Sequence, residues 1–260
     1  MNPLAAIGRV FLTFLVGAGR FGLFTVRAVV NCLTPPWYPA LILRQMLNIG
    51  YFSLPVVGMT ALFTGMVLAL QSYTGFARFN ANAESAIATV VVLSVTRELG
   101  PVIAGLMVAG RIGASLAAEI GTMRVTEQID ALQTLSTNPF KYLVAPRLLA
   151  GLAMMPILVL VADIVGVFGG YIVGVYNLDF NPQTYLRATR QFLEFLDVFS
   201  GLVKAAVFGF LITLMGCYHG YYSEGGAQGV GRATTNAVVS ASILILLFNY
   251  VITGMFFGTR

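Results

Sequence analysis

Residues 97–132 read RELGPVIAGLMVAGRIGASLAAEIGTMRVTEQIDAL, and this stretch decides both the fold and its use. It begins with two full charges, Arg97 and Glu98, although long apolar segments lie on both sides of them. A charge in hydrocarbon costs several kcal/mol, so an ionisable pair there indicates a functional site. About one membrane-helix length later the sequence becomes amphipathic, with charges at Glu119, Arg124, Glu127 and Asp130. The stretch therefore predicts a polar site inside a membrane, joined to a charged element in water.

The composition of the chain is typical of an integral membrane protein. Of its 260 residues 58% are hydrophobic and only 10% are charged, whereas soluble domains contain about 25% charged residues. The net charge of +5 comes from basic residues scattered among apolar runs. That pattern fits the positive-inside rule and argues against a nucleic-acid surface. Cys32 and Cys217 match no metal or redox spacing, so no metal or cofactor is predicted.

Five apolar segments are long enough to cross a bilayer, which takes about 20 residues. They lie near residues 50–74, 86–110, 148–175, 200–222 and 234–257. The fold class is thus an all-α integral membrane protein of about five transmembrane helices, with its permease domain over residues 46–260.

Residues 1–45 form a separate N-terminal region. Arg9, Arg20 and Arg27 return to nearly the same helical face, with apolar residues largely elsewhere. This predicts an amphipathic helix in the membrane interface, and a poor first transmembrane span is the alternative.

The basic residues set the orientation. With the N-terminus in the cytoplasm, nine Lys and Arg residues lie inside and five outside. The inner set is Arg9, Arg20, Arg27, Arg44, Arg111, Arg124, Lys141, Arg147 and Arg232, and the outer set is Arg78, Arg187, Arg190, Lys204 and Arg260. This bias places the 111–147 loop in the cytoplasm and the C-terminus outside.

The cytoplasmic loop contains a predicted amphipathic helix near residues 118–135. Its apolar side is formed by Ile120, Met123, Ile129, Leu132 and Leu135. Its polar side is formed by Glu119, Arg124, Glu127 and Asp130. Such a helix docks into a partner's groove or rests on the headgroups, and amphipathicity alone does not separate the two.

Several motifs resemble the permease of the MlaE/YrbE family. RELGP is followed by AGRIGASLAAEIGTMRVTEQIDAL, NPF and APR, with GMVLALQ at 65–71 and GVGRATTNAVV at 229–239. The likeness covers roughly residues 40–258. It implies the membrane subunit of an ABC transporter that moves phospholipid across the bacterial envelope, in the inner (plasma) membrane.

The same resemblance implies the partners: a second copy of the chain, a cytoplasmic ABC ATPase and an MCE-domain lipid-binding protein on the outer side, with a STAS-domain protein as a further candidate. The chain has no G-x-x-x-x-G-K-[ST] phosphate loop. We therefore expect no enzymatic activity here, and ATP hydrolysis by the partner subunit. The resemblance maps the coupling helix onto the segment from Glu119 to Leu132.

The resemblance also carries a lipid-cavity glutamate onto Glu98. Neighbouring residues point about 100° apart on a helix, so one member of the pair bonds another span while the other lines a cavity. Arginine suits phosphate by its fork of donors, which makes Arg97 a second lipid-site candidate. Gln71 is a polar neighbour, and Phe76 and Phe79 are candidates for acyl-chain contact. The alternative is an interhelical ion pair that only locks the fold.

Two further charges keep a second function class open. Asp163 and Lys204 pair across an external vestibule, or Lys204 snorkels to the outer headgroups. A proton-coupled secondary transporter or channel would use Arg97, Glu98 and Asp163 as its path. The coupling helix favours the ABC permease, because a proton-driven carrier needs no docking helix.

Overall fold

The computed structural model describes residues 3–76 and 83–258, and within these ranges all regular structure is helical. The α-helices are α1 (Pro3–Leu33), α2 (Pro39–Ile49), α3 (Leu54–Phe76), α4 (Ala83–Ser94), α5 (Gly100–Val108), α6 (Ala114–Val125), α7 (Gln128–Thr134), α8 (Ala145–Tyr176), α9 (Pro182–Phe192), α10 (Phe195–Tyr221) and α11 (Gly226–Phe257). Three π-helical turns, Val95–Leu99, Ala109–Gly113 and Phe140–Val144, and one 3-10 turn, Tyr51–Ser53, join some of them.

Six helical segments in the described residues are long and apolar enough to cross a membrane. They are Leu15–Leu33, Pro39–Phe76, Glu84–Val125, Phe140–Tyr176, Phe195–Tyr221 and Gly226–Phe257. The last five cover the five segments predicted as spans, to within one residue at the end of 200–222, and the first lies in α1. The all-α membrane fold is confirmed.

Helix α8 is the centre of the bundle, with α3 on one side and α10 on another. Small residues bring the backbones together. A Cβ on Gly65 of α3 would overlap the carbonyl of Gly166 in α8, and a Cβ on Gly209 of α10 would overlap that of Gly151. The glycine positions of α8 therefore serve packing within one chain.

Residues 84–125 form one continuous rod made of α4, α5 and α6 with two π turns. At 1.5 Å per residue it is about 60 Å long. The first π turn, Val95–Leu99, holds Arg97 and Glu98. Such turns occur mostly as single insertions in α-helices and often mark functional sites.

The rod ends in a bend, which we call the elbow (residues 124–130). A single helix over 118–135 was predicted, and this is wrong, because α6 ends at Val125 and α7 begins at Gln128. Between them Glu127 has a φ of 60°, a left-handed conformation that no continuing helix accommodates. Ile120 and Ile129, which were placed on the predicted apolar side, are buried, but Leu135 of the same predicted side is 75% exposed.

Helix α1 lies against the elbow end of the bundle. Phe24 is buried, and its ring contacts those of Phe140, Tyr218 and Tyr221 at 5.2–5.9 Å between centroids. These partners belong to the start of the fourth long segment and to the end of α10. The interfacial position of α1 stays a prediction.

Candidate functional site

A network of charged side chains joins the first π turn to α10 and α11. The Glu98 carboxylate accepts three hydrogen bonds: from Lys204 Nζ at 2.8 Å, from Asn249 Nδ2 at 2.8 Å and from Thr253 Oγ1 at 2.9 Å. Asn249 and Thr253 are one turn apart on α11, so both face the same carboxylate. One side chain of the rod thus ties two other helices together.

Lys204 is a fully buried member of this network, as is Asp197. Its residue is 0% exposed, and its ammonium also donates to the backbone carbonyl of Arg97 at 2.7 Å. A buried ammonium is tolerated only when it is paired and hydrogen-bonded. The Glu98 carboxylate and the Arg97 carbonyl meet that requirement together.

Arg97 makes the second ion pair. Its Nε donates to Asp197 Oδ1 at 2.7 Å, and its Nη2 lies 2.6 Å from the same oxygen. The other Asp197 oxygen accepts the backbone N–H of Glu194 at 3.1 Å, which caps the start of α10. The guanidinium carbon also lies 4.5 Å from the ring centroid of Phe257, a cation–π distance.

The six residues Arg97, Glu98, Asp197, Lys204, Asn249 and Thr253 are called the charged network below. It sits where α10 begins and α11 ends, opposite the elbow. The sequence predicted that one member of the Arg97–Glu98 pair bonds another span while the other lines a cavity. Both bond other helices, and their side chains are still 35% and 38% exposed. Each is therefore both an anchor and an accessible polar group.

Two expectations about the remaining charges are wrong. Lys204 does not pair with Asp163, because its ammonium binds Glu98. It does not snorkel either, since it is fully buried. Asp163 is 6% exposed and packs against Gly100, and neither of its carboxyl oxygens has a partner among the described residues.

The other predicted lipid-site residues lie apart from the network. Gln71 and Phe76 are exposed near the end of α3, and in the described ranges no hydrogen bond joins Gln71 to the network. Phe79 lies outside the described residues. A role for these three in lipid contact stays a prediction.

Of the four predicted coupling residues, three meet at the elbow. Arg124 Nη1 donates to Asp130 Oδ1 at 2.7 Å across the bend, and Glu127 stands exposed at its apex. Glu119 lies elsewhere, because its carboxylate pairs with Arg147 Nη2 at 2.8 Å. Their part in coupling stays a prediction.

Sequence reasoning missed Asp197, Asn249 and Thr253. The signal for the last two was present, since polar residues four apart in an apolar span share one face. Asp197 gave no signal of its own, because it stands at the edge of an apolar segment, where charges are ordinary.

Comparison with known proteins adds to this geometry. The family model described as Permease MlaE matches residues 42–255. The chain is 62% identical over 257 residues to a probable ABC transporter permease protein of Rickettsia bellii, covering 99% of this chain and 98% of that one. It is 33% identical over 259 residues to the intermembrane phospholipid transport system permease protein MlaE of Haemophilus influenzae, covering 99% and 98%. It is also 36% identical over 217 residues to the chloroplastic protein TRIGALACTOSYLDIACYLGLYCEROL 1 of Arabidopsis thaliana, covering 83% of this chain and 61% of that protein.

Proposed function

This chain belongs to the MlaE permease family, and from that premise we propose that it moves phospholipids between the membranes of a bacterial envelope. It is an ABC transporter permease and a multi-pass membrane protein. We place it in the inner membrane, where a separate cytoplasmic ATPase supplies the energy. The observation that supports lipid as the substrate is the partly exposed charged network inside an apolar bundle.

The network suits a phospholipid headgroup. Among the described residues, Arg97 uses Nε and Nη2 for Asp197, and its Nη1 has no hydrogen-bond partner. A guanidinium with a free N–H edge suits a phosphate oxygen. Glu98 presents a carboxylate beside it. A positive and a negative group side by side match the phosphate and the amine of a zwitterionic headgroup.

The acyl chains need a wall that one subunit does not supply. Large apolar side chains on α3 and α11 are exposed, among them Phe63, Val67, Ile243, Leu247 and Tyr250. We therefore propose a homodimer with the lipid site near the shared axis. Native mass spectrometry of the complex in nanodiscs should show two copies of this chain. A complex with one copy that transports lipid would contradict the proposal.

The elbow is the proposed docking point for the ATPase. Its apex is exposed and polar, and the rod connects it directly to the charged network. On the outer side, an MCE-domain protein would exchange lipid with the network, and a STAS-domain protein would bind the ATPase.

Charge reversal at the apex tests the docking. Glu127→Lys should reduce copurification of the ATPase and phospholipid transfer between vesicles, and should leave the melting temperature unchanged. Asp179→Lys is a matched control, because Asp179 is also exposed, acidic and left-handed, with a φ of 55° against 60°. It lies at the opposite end of the bundle, between α8 and α9. Equal ATPase binding and transfer in both variants would refute docking at the elbow.

A further inference from the structure

A second polar region lies at the elbow end, in a cleft bounded by α2, α6 and the start of α8. Two adjoining cavities of about 230 Å³ and 200 Å³ share the lining residues Gln45, Asn48 and Glu119. Arg111 lines one cavity, and Arg44 and Arg147 line the other. The cleft is far from the charged network along the rod, so it is not part of the proposed transport site.

Arginine dominates the charge of this cleft. Its lining holds three guanidinium groups and one carboxylate, which gives a net charge of +2. Arg111 is held by Ser53 Oγ at 2.7 Å, and Arg44 is exposed and has no ion pair among the described residues. The cleft therefore attracts an anion.

Arg147 gives an independent indication of a ligand. The residue is 4% exposed, and it donates to the carbonyl of Leu143 at 2.6 Å and pairs with Glu119. Its Nε is buried and has no hydrogen-bond partner in the described part of the chain. An unsatisfied buried donor costs free energy, and nearly all such groups in proteins find a partner.

The surroundings of the cleft place it at headgroup level. The rings of Tyr38 and Tyr142 meet edge to face at 5.7 Å, and Trp37 next to them is exposed. Tyrosine and tryptophan concentrate at the membrane–water interface. The outward side of α2 is apolar and exposed at Leu43 and Leu47, which offers acyl chains a surface beside the polar cleft.

We propose that this cleft binds the phosphate headgroup of an anionic phospholipid from the cytoplasmic leaflet. The exposed guanidinium of Arg44 attracts the phosphate to the mouth of the cleft, and the buried Nε of Arg147 supplies a hydrogen-bond donor inside it. The apolar wall formed by Leu41, Leu143 and Pro146 continues toward the acyl chains. Basic pockets between transmembrane helices on the cytoplasmic side bind anionic headgroups in this way. Free phosphate has the same anion chemistry but has no apolar part that would contact this wall.

Lipid binding to the purified chain tests this proposal without the ATPase and without transport. The protein is placed in phosphatidylcholine nanodiscs with increasing phosphatidylglycerol, and retained lipid is counted by native mass spectrometry. Arg44→Gln should weaken phosphatidylglycerol binding by about tenfold, the loss of one charge-assisted hydrogen bond. Arg187→Gln, an exposed arginine on α9, should leave the binding unchanged.

Two outcomes would overturn the proposal. One is equal phosphatidylglycerol retention by Arg44→Gln and the parent chain. The other is displacement of the bound lipid by inorganic phosphate, which would assign the cleft to a soluble anion. Retention of phosphatidylglycerol in the presence of inorganic phosphate, with loss in Arg44→Gln alone, would support the lipid site. Failure of phospholipid transfer in vesicles would not affect this result.

Discussion

Neutralising Glu98 shows whether the charged network supports the fold as well as the lipid. In Glu98→Gln the amide keeps the size of the side chain, but the Lys204 ammonium remains fully buried without a counter-charge. Removing one partner of a buried ion pair costs about 3–5 kcal/mol. Because the Glu98 side chain is 38% exposed, solvent screens part of this. We therefore expect the lower end, about 3 kcal/mol.

The partner substitution should cost less. In Lys204→Met the Glu98 carboxylate keeps its hydrogen bonds from Asn249 and Thr253 and its access to solvent. The ammonium's two hydrogen bonds, to Glu98 and to the Arg97 carbonyl, are lost, but the desolvation cost of burying the ammonium is removed with them. The double variant Glu98→Gln/Lys204→Met has no buried charge left at this position. Its stability should return close to that of the parent chain, because neutral replacement of both partners is often harmless.

Thermal melting of the four proteins in nanodiscs measures this cycle. At about 2–4 °C per kcal/mol, Glu98→Gln should lower the melting temperature by about 6–12 °C. Thr253→Val is the control, since it removes an uncharged donor to the same carboxylate and leaves the Glu98–Lys204 ion pair intact, with an expected loss of about 1.5 kcal/mol. If the two single losses add in the double variant, the pair does not couple and the reasoning fails. The sequence alone predicted that one member of the Arg97–Glu98 pair bonds another span, whereas in the structure both do, and Glu98 has a buried counter-ion.

The remaining predictions concern a carboxyl, a helix crossing and the N-terminal helix. Asp163→Asn should leave ATP-driven lipid transfer unchanged, because the buried carboxyl has no partner among the described residues; abolished transfer in reconstituted vesicles would favour a proton path. Gly65→Leu should destabilise the chain by about 1–3 kcal/mol or more through overpacking against Gly166. Gly58→Leu, in open space on the same helix, should not. Equal melting temperatures of the two variants would contradict the close crossing of α3 and α8. Phe24→Ala should cost about 3–5 kcal/mol, and the adjacent Leu23→Ala, at a 63% exposed residue, should cost little; equal losses in thermal melting would contradict the docking of α1.

The sequence predicted the architecture well because length and hydropathy determine it. Apolar runs of about 20 residues have few alternatives to spanning helices. The split of the cytoplasmic helix was not readable, since the apolar and polar sides continue in register on both sides of Glu127. Only the backbone reveals its left-handed conformation.

Only part of the candidate site was predicted from the sequence. Arg97 and Glu98 were recognisable because charges are rare in apolar sequence. Their partners were not, because Asp197 and Lys204 are about one hundred residues away and pairing depends on which spans are neighbours. The guess that Lys204 pairs with Asp163 failed on this point, since α10 presents its lysine to the rod and not to α8.

The two π turns in the rod have a mechanical consequence. Each holds one residue more than an α-helix of the same length would, and one residue corresponds to about 100° of rotation. Such a turn locally interrupts the regular pattern of backbone hydrogen bonds in the α-helix. If the π turn moves by one residue along the rod, the residues that it passes rotate about the helix axis, while the two ends of the rod stay where they are. Arg97 and Glu98 lie inside one of these π turns. The position of the turn therefore sets the direction in which their side chains point, and that direction can change without lengthening or tilting the helix.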